Sequence, residues 1–188
     1  MQSEKLIQSL KEEARQILDQ IEGIKKHDLH AFTWKEDPMS WNILECLEHL
    51  NLYGDYYLPL IEHKIKNSKS TNDQTFKSGF LGNYFAQSML PKAKLNKMKT
   101  FKDKNPLNAK LDKDTVIDRF INQQIQLLDL LEQARTVSLN EIKISTSISK
   151  LIKLKLGDAF QFYINHMIRH MKQIERICTQ LEHTFTGV

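Results

Sequence analysis

Apolar residues recur every three or four positions along most of this chain, which is the spacing that places them on one face of an α-helix. The first such segment runs from about Glu4 to Lys25. Its apolar face carries Leu6, Leu10, Ile17, Ile21 and Ile24. Gly23 weakens the end of the segment, and we expect the residues that follow, His27 to Glu36, to form a loop.

A second helix is predicted to begin at Asp37-Pro38 or at Ser40. Asp caps helix N-termini and Pro suits the first helical position, because its missing N–H would have no partner there. The periodicity continues to about Asn67, and Pro59 within it predicts a kink.

Two further helices follow in the second half of the chain. One begins between Asp112 and Thr115 and ends near Arg135, and the other runs from Gly157-Asp158 to about His183. Between them, residues 139–149 are rich in β-branched side chains and predict at most a short extended stretch. Four long amphipathic segments without a convincing sheet predict an all-α four-helix bundle.

A long connection, residues 68–113, separates the second and third helices. It contains two glycines, two prolines and many lysines, and we expect it to be irregular apart from a short helical turn at Tyr84–Leu90. A structureless loop of this length is uncommon within a compact domain. We therefore interpret it as a crossover between two parallel helices of one domain that spans residues 1–188.

Composition excludes several classes of protein. Charged residues make up 27% of the chain and hydrophobic residues 40%, which is typical of a globular protein, and the net charge of +4 does not require nucleic acid as a partner. The N-terminus lacks the apolar core of a signal peptide, and no apolar run approaches the length of a membrane span. Cys46 and Cys178 form no disulfide framework, so we expect a cytoplasmic protein with no membrane partner.

Three histidines are the main candidates for chemistry. His166 and His170 are four residues apart and project from one face of the fourth predicted helix, and His49 lies on the inward side of the second. Three imidazoles from two packed helices could hold a divalent metal and leave a coordination position open, as in catalytic sites. An inward histidine can equally be a hydrogen-bonded core residue, so the spacing alone leaves both interpretations open.

Three residues near these histidines could support such a site. Glu45 could orient His49 or be a solvated side chain. Gln173 could donate or accept a hydrogen bond with a metal-bound water or a substrate. It could equally be a surface residue or a contact between helices. Cys46 could be a fourth ligand or an inert buried thiol.

Two other features could attract an anion. Tyr53 and Tyr56 face the same region as His49 and could donate a hydrogen bond, although core packing is the default role of such residues. The segment Lys92–Lys113 carries eight lysines and two aspartates and could attract an anionic thiol cofactor. It lacks the interleaved aromatic residues of a single-strand binding groove, so we favour a solvated linker and do not expect nucleic-acid binding.

Two blocks of sequence resemble the DinB (DinB/YfiT-like) family. The first runs from Trp41 to Leu50 and contains the sequence Glu48-His49-Leu50. The second begins at Leu156-Gly157-Asp158-Ala159 and continues to His166-Met167-Ile168-Arg169-His170-Met171-Lys172-Gln173-Ile174, which is similar to the HxxRHxxQI pattern near the C-terminus of that family. Met167 and Ile168 depart from the more polar residues often found there.

The resemblance implies a four-helix bundle with a crossover connection, often a homodimer. It also implies a metal, frequently zinc or nickel, on three histidines that match His49, His166 and His170; iron and manganese are alternatives. Some relatives are thiol S-transferases that act with low-molecular-weight thiols, and others are described as hydrolases. Our leading hypothesis is a metal-dependent enzyme of one of these types that acts on a small-molecule substrate or thiol. The alternative is a non-catalytic binding or regulatory bundle with a structural or vestigial histidine cluster.

Overall fold

The computed structural model describes residues 1–91 and 100–186 of the chain. Its helices are α1 (Ser3–Ile24), α2 (Leu29–Thr33), α3 (Ile43–Lys66), α4 (Phe80–Met89), α5 (Lys113–Gln133) and α6 (Leu156–Thr186). Short 3-10 turns lie at Lys102–Lys104 and Ala134–Thr136, and the strands β1 (Lys143–Ser145) and β2 (Lys153–Lys155) form an antiparallel hairpin. The predicted all-α fold is confirmed.

The four long helices α1, α3, α5 and α6 enclose one apolar core. Helix α1 packs against α5 and α6, and α3 packs against the same two helices from the other side. The largest fully buried side chains come from all of these helices and from α2, and they include Ile7, Phe32, Tyr57, Phe120, Phe160 and Tyr163. Burial of each such side chain contributes about 1.5–3 kcal/mol, so helix packing dominates the stability of the fold.

Helices α3 and α5 run parallel, as the crossover interpretation requires. Asn51 Nδ2 donates to the carbonyl of Val116. Further along both helices, by about one turn in α3 and two turns in α5, Gln123 Nε2 donates to the Asp55 carboxylate. The helices approach closely at Gly54, where a Cβ atom would lie 2.0 Å from Gln123 Oε1. Two parallel neighbours can be joined only by a chain that returns along the bundle, which is the role of the connection between them.

The beginning of α3 differs from the prediction. The helix starts at Ile43, after Asp37-Pro38 and Ser40, and Asn42 is its N-cap. Asn42 Oδ1 accepts from the Glu45 N–H and the Glu45 carboxylate accepts from the Asn42 N–H, which makes a complete capping box. The predicted loop at His27–Glu36 is also partly wrong, because it contains α2, capped by Asp28.

The connection between α3 and α5 is more ordered than predicted. The helix α4 spans ten residues, Phe80–Met89, where only a turn at Tyr84–Leu90 was expected. It packs along α6, and Asn165 Nδ2 donates to the Ala86 carbonyl. Residues 92–99, which hold four of the eight lysines of the predicted linker, lie outside the described residues.

The hairpin before α6 was only half predicted. Strand β1 falls within the extended stretch expected at 139–149, but its partner β2 was missed. In the register of the pair, Ile144 lies opposite Leu154, and Lys143 lies opposite Lys155.

None of the helices in the described part of the chain combines the length and hydropathy of a membrane span.

Candidate metal centre

The structure brings the three predicted histidines together between α3 and α6. His166 Nε2 lies 3.2 Å from His49 Nε2 and 3.1 Å from His170 Nε2. One ring nitrogen of each residue lies within 4.8 Å of the other two. Positions 166 and 170 are one helical turn apart, so they lie on one face of α6. His49 on α3 is directed toward that face of α6.

All three imidazoles are buried, with exposed fractions of 3% for His49, 6% for His166 and 8% for His170. Burial disfavours the charged form of a histidine. Desolvation lowers the pKa of His49 to about 4 and that of His170 to about 3, and it lowers the pKa of His166 well below its ordinary value. The rings are therefore neutral near pH 7, which is the form that binds metals.

Hydrogen bonds fix the orientation of two rings. His49 Nδ1 lies 2.6 Å from the carbonyl oxygen of Lys104, and His170 Nδ1 lies 3.0 Å from Gln173 Oε1. A carbonyl oxygen can only accept, so each Nδ1 carries the proton and donates. Each Nε2 of His49 and His170 is then left with a lone pair directed into the cluster. This is the arrangement by which outer partners orient metal-binding histidines.

The donors within the cluster do not satisfy its acceptors. The lone pairs of His49 Nε2 and His170 Nε2 both face His166 Nε2, which can carry only one proton and donate it to one of them. His166 Nδ1 is itself buried without a hydrogen-bond partner among the described residues. Buried polar atoms that lack partners are costly, and a cation among the three Nε2 atoms would satisfy the lone pairs that face the cluster.

The spacing of the nitrogens also fits an ion. Zinc–imidazole bonds of about 2.0–2.1 Å in tetrahedral geometry separate two ligand nitrogens by about 3.3 Å. The separations of 3.1 and 3.2 Å to His166 Nε2 are close to this value. The cluster is therefore compatible with binding a divalent metal.

Two aromatic side chains, Trp41 and Tyr53, pack against the histidine cluster. The Trp41 ring lies 4.7 Å from the His49 ring and 5.8 Å from the His170 ring between centroids. The centroid of the Tyr53 ring lies 4.6 Å from that of the His166 ring. Burial raises the pKa of the Tyr53 phenol to about 12, so its hydroxyl keeps its proton near pH 7. These side chains limit the access of water and strengthen electrostatic interactions inside.

Neither interpretation of Glu45 was correct. Its side chain is buried, and its carboxylate accepts from the backbone N–H of Asn42 and Asn108 and from Lys35 Nζ, at 3.0, 2.6 and 2.8 Å. It orients no imidazole. Instead, it joins the start of α3 to the segment that precedes α5.

The structure also shows where the other candidate residues lie relative to the histidine cluster. Gln173 lies at the centre and orients His170. Cys46 is buried outside the histidine cluster, burial raises the pKa of its thiol, and both cysteines are free. Tyr56 is directed to the hairpin, where its hydroxyl donates to the Thr146 carbonyl at 3.0 Å.

Sequence reasoning missed the segment that covers His49. The carbonyl that accepts from His49 belongs to the backbone of Lys104, and the neighbouring Asn105 Oδ1 accepts from the Trp41 indole N–H at 3.2 Å. A backbone acceptor has no side-chain signature. The contact of Trp41 with the histidines could have been predicted, since Trp41 is the first residue of the first block of the family pattern.

Three buried imidazoles that converge between two helices of a four-helix bundle define a class of helical proteins with a candidate mononuclear metal centre. The chain belongs to the DinB superfamily, whose family model matches residues 12–174. Comparisons with curated proteins and with solved structures found no match.

Proposed function

We propose that His49, His166 and His170 bind one divalent metal ion and that this protein is a metal-dependent enzyme of the thiol S-transferase or hydrolase type. The observation that carries the proposal is the convergence of three neutral Nε2 atoms, two of them in rings already oriented by other partners. Zinc and nickel suit an all-imidazole set best, and iron or manganese are the alternatives.

The number of protein ligands supports a catalytic role. Structural zinc sites are usually closed by four protein ligands, whereas catalytic sites keep a position for substrate. In the described part of the chain, no cysteine or carboxylate joins the three histidines in the cluster. When bound there, a divalent metal would lower the pKa of a thiol or water and so supply a nucleophile near neutral pH.

The chain itself would position the reacting groups. Gln173 and the Lys104 carbonyl hold the imidazoles, while Trp41 forms an apolar wall for a small substrate or a low-molecular-weight thiol. Tyr53, protonated near pH 7, is a hydrogen-bond donor beside His166. A cytoplasmic location and a homodimer stay predictions from the sequence and from the resemblance.

One observation favours the second candidate, a non-catalytic bundle with a structural histidine cluster. The three rings are more than nine-tenths buried, which restricts the approach of a substrate. The two candidates differ in whether a coordination position is open. A cobalt-substituted protein with an open position should change its visible spectrum when a small thiol such as 2-mercaptoethanol is added, and a closed structural site should not.

The first experiment is metal analysis of untagged protein beside two variants. We expect about one ion per chain in the natural protein, and almost none in His166→Ala, because two imidazoles hold zinc weakly. The matched control is His63→Ala, which removes an exposed histidine of α3 and should keep the metal. Circular dichroism should show similar helical content in all three. Equal metal content in His166→Ala and the natural protein would refute the assignment.

A further inference from the structure

A cleft of about 540 Å³ lies between the C-terminal end of α3 and the β1–β2 hairpin. Its lining is unusually basic: four lysines and one glutamate. The lysines are Lys64, Lys143, Lys150 and Lys153, and the glutamate is Glu141. The volume falls within the range of small-molecule sites, about 300–1,000 Å³.

This cleft is separate from the histidine centre. Lys64 follows His49 by fifteen positions on the same helix, which corresponds to about 22 Å along α3 at 1.5 Å per residue. On α6, the hairpin enters at Leu156, whereas His166 lies almost three turns further on. A ligand in the cleft would therefore not contact the imidazoles.

The lysines of the cleft lack acidic partners. None of the ion pairs among the described residues involves Lys64, Lys143, Lys150 or Lys153. All four are exposed at the rim, and Lys143 Nζ donates to the Asn140 carbonyl. Like charges gathered around one concavity repel one another, and an anion between them would reverse the sign of that interaction.

Two structural explanations cover part of this pattern. Lys64 lies in the last turn of α3, where a cation complements the helix dipole. Lysines on the strands protect the edges of a small sheet from pairing with other chains. Neither explains why lysines from the helix, both strands and the hairpin loop meet at one cleft.

We propose that this cleft binds a small organic anion with two or more negative charges, of the phosphorylated-metabolite class. The lysine ammonium groups would contact the phosphate oxygens, since Lys acts as a point charge for phosphate. Asn67, Ser68 and Ser145 offer neutral donors in the same wall. Ile142, which is buried, and Leu60, which is partly buried, form an apolar floor for the uncharged part of the molecule.

The test is a calorimetric titration with inorganic pyrophosphate at low ionic strength. Four proteins are compared: the natural protein, Lys143→Gln/Lys153→Gln, Lys5→Gln/Lys26→Gln and His166→Ala. The two double variants lower the net charge equally, but Lys5 and Lys26 are exposed on α1 and after its end, outside the cleft lining. We expect the dissociation constant to rise about tenfold or more only in Lys143→Gln/Lys153→Gln, with affinity falling as salt rises.

Each other result overturns the proposal. Equal weakening in the two double variants would mean attraction by net charge alone. Loss of binding in His166→Ala would place the anion at the histidine centre, and absence of binding to the natural protein would remove the site. Because binding in His166→Ala is expected to persist, the cleft can be confirmed even if the proposed metal function fails. Thermal unfolding of each variant verifies that it is folded, and Lys150→Gln provides a second, single-charge version of the test.

Discussion

Helix α6 buries two polar clusters that lie about two turns apart and differ in how their hydrogen bonds are satisfied. In its first turn, the Asp158 carboxylate accepts from the Ser78 hydroxyl and from the Gly79 N–H, so both of its oxygens have donors that belong to the chain. Further along, His166 and His170 direct their Nε2 atoms at each other and at His49. The first cluster is complete within the protein, whereas the second has more acceptors than donors.

This difference separates a structural polar group from a ligand site. Asp158 is fully buried beside Gly82, where a Cβ atom would lie 2.1 Å from its Oδ2, so α4 can dock on α6 only with glycine there. Its two oxygens accept from fixed donors immediately before α4. His49 and His170 have fixed partners on their outer Nδ1 atoms, whereas His166 Nδ1 has none among the described residues. A buried cluster that directs more acceptors than donors at its own centre is a candidate for an ion.

The largest effect is expected from removing one imidazole in the presence of metal. Zinc at about 1,000 times its dissociation constant should stabilise the natural protein by about 4 kcal/mol, because only the folded state assembles the three ligands. In His170→Ala this gain should fall below about 1 kcal/mol. Urea unfolding with zinc and with a chelator measures both quantities. A gain that survives in His170→Ala would contradict the three-histidine centre.

The next largest effect is expected from removing the carboxylate of the Asp158 cluster. Asp158→Ala leaves the Ser78 hydroxyl and the Gly79 N–H without their acceptor and should lower the free energy of unfolding by about 2–3 kcal/mol. Metal content per folded chain should not change. The control is Asp129→Ala, which removes an exposed aspartate of α5 and should cost less than about 0.5 kcal/mol. If Asp158→Ala instead lost metal and kept its stability, the distinction between the clusters would be wrong.

The smallest effect concerns the outer contact of His170. Gln173→Ala removes the acceptor for Nδ1–H and should weaken metal binding about tenfold, or about 1.4 kcal/mol, because the ring loses its fixed orientation. Competition with a zinc indicator dye measures the change. Gln180→Ala, on the same helix but outside the cluster, should bind metal as the natural protein does. An unchanged affinity in Gln173→Ala would limit the role of Gln173 to packing.

The helices could be predicted from the sequence because each long helix repeats its apolar positions over several turns. The start of α3 was misplaced because Asp37-Pro38 has the composition of a helix N-terminus, whereas the capping box that defines the start is Asn42 with Glu45. The same oversight misassigned Glu45. Its position one turn before His49 suggested a role at the metal, but a glutamate three residues after an N-cap Asn is a capping residue.

Other features had no signal of sufficient length. Strand β2 has three residues, and two of them are lysines, so alternation could not identify it. Helix α4 leaves Phe80 and Tyr84 exposed, and its apolar pattern does not point to one buried face. His49, His166 and His170 could be predicted as candidates because metal-binding residues carry their chemistry in their side chains. The convergence of their Nε2 atoms depends on how α3 packs against α6, which the sequence does not specify directly.

The acceptor that orients His49 is a main-chain carbonyl, and this has an evolutionary consequence. A substitution at position 104 changes the side chain and leaves the carbonyl in place, so residue type there is free to drift while the imidazole stays oriented. An insertion or deletion between Phe101 and Asn108 would shift that carbonyl, together with Asn105 and the Asn108 N–H that Glu45 accepts. Natural variants should therefore differ in residue type at position 104 and agree in the length of this segment.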